Sequence, residues 1–117
     1  MLNKKLKNLI KLSSNIKILI PSTVNINKDF DNKQYIDEAL TLFSSLFGGA
    51  TSFKALGAWE SKELGLVKEK VNAVESFCNE KQLNDNIENV IEFCENLKNE
   101  LKQEAISLFV NNELYFI

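Results

Sequence analysis

Leu66-Val67-Lys68-Glu69-Lys70-Val71-Asn72-Ala73-Val74-Glu75-Ser76-Phe77-Cys78 reads in two ways, and the fold turns on which is right. Leu64, Val67, Val71, Val74 and Cys78 step by three and four, a helix spacing. Val67, Val71, Ala73 and Phe77 instead share one face of a strand, provided Glu69 and Glu75 sit at a rim or a bulge intervenes. Periodicity leaves both open, and the preceding residues favour the strand. Thr51, Phe53, Ala55, Gly57 and Trp59 alternate with Ser52, Lys54, Leu56 and Ala58, and the connection Glu60 to Gly65 ends on a residue free to take positive φ, a hairpin signal.

Upstream, Ile16, Ile18 and Ile20 alternate with Lys17 and Leu19 before Pro21 ends the run, which predicts the first core strand. Pro21 to Asn27 is a polar, β-branched passage leading to Asp31, which with Gln34 predicts a helix start. Apolar positions from Tyr35 to Phe47 recur at helical spacing until Gly48-Gly49 stops them. Downstream, Asp85 with Glu88 forms a capping-box pattern, and Ile87, Val90, Cys94, Leu97, Leu101 and Ala105 form the stripe of a second long helix. Ile106, Leu108 and Val110 then alternate, Asn111-Asn112 offers a turn, and Leu114 to Ile117 resumes an apolar run that must be covered by the sheet or another subunit. The order strand, helix, strand, strand, helix, strand predicts an α+β βαββαβ chain: a four-stranded antiparallel sheet with two helices on one face and a C-terminal strand extension. Residues 16–117 read as one such domain. If its other sheet face is apolar, stacking on a second copy would cover it, so a homodimer or higher homo-oligomer is expected.

The chain has 117 residues, 44% of them hydrophobic, enough for one buried core and too many for disorder. All 14 basic residues are Lys and His is absent, so an imidazole shuttle, a Ser-His or Cys-His pair, a His-bound metal and an Arg phosphate clamp are excluded for a monomer. From that census the chain is expected not to be an enzyme and to need no cofactor. Charge is uneven: residues 1–28 carry +6 and the remainder −8. Residues 1–15 read as a basic amphipathic segment, with Leu2, Leu6, Leu9 and Ile10 on one face expected to pack on the domain. Its lysines interrupt any signal-peptide core, and no apolar run is long enough to span a bilayer, which predicts a cytoplasmic protein. The acidic body makes nucleic acid an improbable partner. Cys78 and Cys94 lack the spacing of a zinc site or redox pair and read as buried thiols.

Ile18-Leu-Ile-Pro-Ser-Thr23, Leu46-Phe-Gly-Gly-Ala-Thr51, Gly57-Ala-Trp59 and Leu66-Val67 with Glu69 and Val71 together resemble a pattern in small ferredoxin-like, split βαβ proteins of bacterial plasmids and phages. The resemblance covers residues 16–117. It implies the fold above, adds weight to a strand over 66–78, and implies a mobile-element origin. It brings no activity, cofactor or catalytic residue.

Gly48-Gly49-Ala50-Thr51 lacks a phosphate-loop pattern and follows a helix, which fits a helix cap. Glu60, Glu63, Glu69 and Glu75 offer carboxylates for acid and base roles, against the plainer reading of a solvated hairpin flank. Trp59 is either core or interface packing or the wall of a ligand site. Ser22 and Thr23 could donate to such a ligand or simply cap a turn. The candidate binding residues are therefore Ser22, Thr23, Lys54, Trp59 and Glu69. The leading expectation is a non-enzymatic interaction protein of a mobile genetic element, binding a protein partner such as a host factor. The alternative is a protein that sequesters a small molecule or signalling nucleotide at a subunit boundary. A flat apolar patch would favour the first, and a concave, partly polar pocket around Trp59 the second.

Overall fold

A computed structural model describes residues 3–24 and 28–117. Strand β1 (Ser14–Pro21) carries the isoleucine alternation, and Ile16, Ile18 and Ile20 are all fully buried on one face. Two short strands, β2 (Thr23–Val24) and β3 (Lys28–Asp29), pair with each other. Three helices follow the chain: one turn at α1 (Lys4–Lys7), then α2 (Lys33–Phe47) and α3 (Glu80–Glu100). The long strands β4 (Thr51–Ser61) and β5 (Gly65–Cys78) form the hairpin, and β6 (Ser107–Val110) and β7 (Glu113–Phe116) close the chain. Residues 66–78 are thus strand throughout, with Gly65 at φ 74° in the turn.

The result is a mixed α+β architecture around one antiparallel sheet in the order β4-β5-β1-β6-β7. The sheet has five strands where four were expected, because the C-terminal extension joins it. Asn111 and Asn112 adopt φ 51° and 67°, the left-handed turn the pair predicted, and Ile106 and Ile117 exchange backbone hydrogen bonds of 3.1 and 3.0 Å. The tail is paired through its backbone, yet Leu114, Tyr115 and Phe116 remain substantially exposed.

Helices α2 and α3 cover one sheet face. Phe43 and Phe47 meet edge-to-face at 5.7 Å and pack with Ile16, Ile18, Val74, Val90 and Leu97. Gly48 ends α2 in the left-handed conformation. Ser76 Oγ donates to the Gly49 carbonyl at 2.6 Å, fixing that exit to β5. At the other end buried Asn32 donates to the Pro21 carbonyl at 3.0 Å and to Asn72 Oδ1 at 3.2 Å, joining β1, β5 and the start of α2.

Three boundary expectations change. α3 starts at an Asn79/Gln82 capping box and not at Asp85/Glu88, since the earlier pair satisfies the first free amides one turn sooner. It also stops at Glu100 and not at Ala105. Asp31 accepts from the Lys33 amide, but Gln34 turns to Glu38, so no capping box opens α2. The amphipathic start forms only one helical turn, and Leu6, Leu9 and Ile10 are exposed and do not pack on the domain. Leu2 and residues 25–27 of the polar passage lie outside the described residues.

The second sheet face has no helical cover, and Phe53, Trp59, Phe77, Leu114 and Phe116 are all exposed there or at its edges. The hairpin also outruns its neighbour: β1 pairs with β5 only as far as Pro21 and Val71, while β4 and β5 continue to Ser61 and Gly65. The molecule is 53 Å long with a radius of gyration of 16.0 Å. A compact chain of this length would have about 13 Å.

Phe43→Ala, which empties the core, should lower the unfolding free energy in urea by roughly 3–5 kcal/mol, whereas Phe53→Ala on the open face should change it by under about 1 kcal/mol. Cys78 and Cys94 are both buried and unbridged, and burial pushes the Cys94 thiol up to about 12. Native protein should therefore leave both thiols unreacted with a disulfide reagent at about pH 8, while denatured protein releases two equivalents. Burying a neutral thiol also means that its contribution to stability is lost as pH rises from the unfolded thiol's range, about 8.5, towards 12.

Candidate functional site

The place where β1 leaves β5 gathers acidic, basic, hydroxyl, amide and aromatic residues. Pro21 is the last residue of β1 paired with β5, and the chain leaves the ladder with a bend at Ser22. The bend is tied back by side chains. Ser22 Oγ donates to the Lys70 carbonyl at 2.5 Å, and Thr23 Oγ1 donates to Glu69 Oε1 at 3.3 Å. On the far side Gln103 Nε2 donates to the Thr23 carbonyl at 2.9 Å and to the Leu101 carbonyl at 3.2 Å. Between these ties lies a cleft of about 510 Å³, walled by the arm, the Ser22-Thr23 bend and residues 103–105.

Four of the five candidate binding residues, Ser22, Thr23, Trp59 and Glu69, line this one cleft. Trp59 stands opposite Val67, and Glu69 stands opposite Gly57. Trp59 and Glu69 are diagonal neighbours on one face of the arm, and Gly57 leaves the space beside Glu69 free of a side chain. Trp59 is half exposed, so its indole is presented and not consumed by packing. A π face next to a carboxylate favours a cation from both sides, by quadrupole and by charge. Glu69 keeps its orientation through the Thr23 hydroxyl. Asp29 and Glu104 add carboxylates at the rim, and Lys68 and Lys70 complete the lining along the β5 edge. The lining therefore suits a ligand bearing a positive charge together with a flat ring.

The fifth candidate, Lys54, is not brought to the cleft. It pairs with Asn72 and alternates away from Phe53 and Ala55. The other acids do not converge either: Glu75 holds Asn15 Nδ2 at 3.2 Å, six residues along β5 from Glu69 and about 20 Å away. A larger but shallow groove of about 1060 Å³ runs along α2 and includes Asp37, Glu38 and Leu42, without an exposed aromatic face. Among the described residues no group of three or more Cys, Asp or Glu is arranged to hold a metal, and no helix is long and apolar enough to cross a membrane.

Asp29 and Gln103 were not legible as site residues. Gln103 fell inside the expected run of the second long helix. It reaches the cleft only because α3 ends early and Lys102 reverses the chain at φ 51°, a conformation that no glycine or asparagine announces.

No family model matches this sequence, and no curated protein matches it. Two solved structures share its fold. One is a phage SAM lyase in complex with S-methyl-5'-thioadenosine, with a TM-score of 0.65 and 12% identity, covering 94% of this chain and 92% of that chain. The other is a phage SAM lyase in the apo state, with a TM-score of 0.65 and 14% identity, covering 94% of this chain and 95% of that chain. The phage association expected from the sequence agrees with these neighbours. The expectation of a non-enzymatic protein is overturned, since the structures that share the fold are those of an enzyme acting on a small molecule. The lack of His and Arg excludes particular catalytic devices and does not exclude catalysis.

Proposed function

We propose that this protein binds an adenosyl sulfonium compound in the cleft at the end of β1 and acts on it as a SAM lyase, releasing S-methyl-5'-thioadenosine. The observation that carries this reading is the cleft's pairing of Trp59 with Glu69, set in a fold that two SAM lyase structures share. A concave, partly polar pocket at Trp59 was the feature that favours a small ligand over a protein partner. The four strands β4-β5-β1-β6 with α2 and α3 are read as a split βαβ core to which β7 is added.

The residue census fits this chemistry. The sulfur of SAM is a cation. When its bond to the amino-acid chain breaks, the electron pair goes to sulfur, and the thioether leaves neutral. No proton donor is needed for that leaving group, and no oxyanion develops that would call for an Arg clamp or a row of amides. The carbon left behind is satisfied by the fragment's own carboxylate, or the fragment loses a neighbouring proton to a base, for which Glu69 is the group in place. Either way an aromatic wall and a fixed carboxylate hold the sulfonium before it reacts. Self-association through the open sheet face would place a second copy beside the arm, and the exposure of Phe53, Phe77 and Phe116 supports that arrangement.

Incubation of the purified protein with SAM should release S-methyl-5'-thioadenosine, followed by liquid chromatography. Glu69→Gln should slow release by about 10-fold or more, equivalent to about 1.4 kcal/mol of transition-state stabilisation. Trp59→Ala should weaken S-methyl-5'-thioadenosine binding by roughly 10-fold, in the range of a lost base-stacking contact. Absence of both turnover and binding would reject the proposal.

A further inference from the structure

We infer that the backbone edge of β5 at Lys68 and Lys70 reads the adenine ring of the ligand, a deepening that rests on the adenosyl reading above. The geometry follows from one hydrogen bond and strand alternation. The Lys70 carbonyl accepts from Ser22 Oγ, so the polar groups of Lys70 face away from β4 and towards the end of β1. Alternation then turns the amide and carbonyl of Lys68 to the same side, because residues two apart on a strand present their backbone groups in the same direction. The register agrees. Pro21, which cannot donate, stands opposite Val71, so the exchanging pair is Ile20 with Asn72, and Asn72, Lys70 and Lys68 fall in one phase.

Beyond Val71, β1 no longer covers this edge. Lys68 and Lys70 both line the cleft, and among the described residues no backbone partner from outside the ladder reaches their amides or the Lys68 carbonyl. The edge thus presents a carbonyl flanked by two N–H groups. Adenine offers the complement, an N6 amino donor beside a ring-nitrogen acceptor. An added peptide strand would meet a shorter edge than it needs, since Ser22 already occupies the Lys70 carbonyl and Gln103 to Ala105 stand across the cleft. A ring-sized ligand fits between those walls.

Backbone recognition has a distinctive signature. Replacing adenine by hypoxanthine turns the N6 donor into an acceptor while keeping the ring's size and stacking face, so the Lys68 carbonyl would confront a second acceptor. Proline at position 68 removes only an outward amide hydrogen, which an edge position tolerates, whereas alanine removes the side chain and keeps the backbone. The test is calorimetric titration of wild type, Lys68→Ala and Lys68→Pro with S-methyl-5'-thioadenosine and with its hypoxanthine counterpart.

Wild type and Lys68→Ala should both prefer the adenine compound by about 10-fold or more, equivalent to about 1.4 kcal/mol. Lys68→Pro should lose most of that preference. Equal binding of the two nucleosides by wild type would overturn edge reading while leaving the adenosyl site in place. So would a preference that disappears in Lys68→Ala, which would assign recognition to the side chain. If neither nucleoside binds wild type, the adenosyl reading falls and edge reading with it. The wild-type comparison decides the matter even if the proline variant does not fold.

Discussion

Pro21 sets the limit on which the candidate site depends. It is the last residue of β1 to face β5, and beyond it β5 continues without that neighbour. β5 runs six residues further towards its turn, paired on one side only by β4. A two-stranded ribbon alone is marginal in water, and the base of this one is pinned by Ser22 to Lys70 and by Thr23 to Glu69. The same two contacts that anchor the arm also shape the cleft.

The sheet's two faces divide the labour. One is filled by α2, α3 and a core of Ile16, Ile18, Phe43, Val74 and Leu97, all close to fully buried, and that packing supplies the rigidity. The other keeps aromatic side chains at the surface. Lys17 lies 4.4 Å from the centre of the Phe109 ring, which softens that face electrostatically without covering it. A rigid scaffold with one uncommitted face and a projecting arm gives the cleft its fixed floor and its open mouth.

Much of this was readable from residue types. The isoleucine alternation of β1, the Gly48 stop of α2, the Gly65 turn and the Asn111-Asn112 turn each arise from a local preference that tertiary packing does not oppose. Residues 66–78 were ambiguous because Val67 and Val71 satisfy both periods, and the ladder to β1 decides between them. Ser22, Thr23, Trp59 and Glu69 could be named because each is conspicuous by type, but nothing local says that positions 22 and 69 meet. That follows from antiparallel register. Gln103 and Asp29 were hidden for the converse reason: their roles come from a helix that ends early and a short strand pair, neither of which leaves a sequence signal. The expectation of no catalysis failed at a different level. It treated the absence of proton-transfer and oxyanion groups as the absence of chemistry, and the sulfonium leaving group of the proposed reaction requires neither.

The most direct measurement is a two-dimensional amide spectrum of the ¹⁵N-labelled protein titrated with S-methyl-5'-thioadenosine. Shifts are expected at Ser22, Thr23, Lys68, Glu69, Lys70, Gln103 and the Trp59 indole, with α2 resonances such as Asp37 and Thr41 unmoved. Shifts centred on the α2 groove, or none at saturating nucleoside, would contradict it.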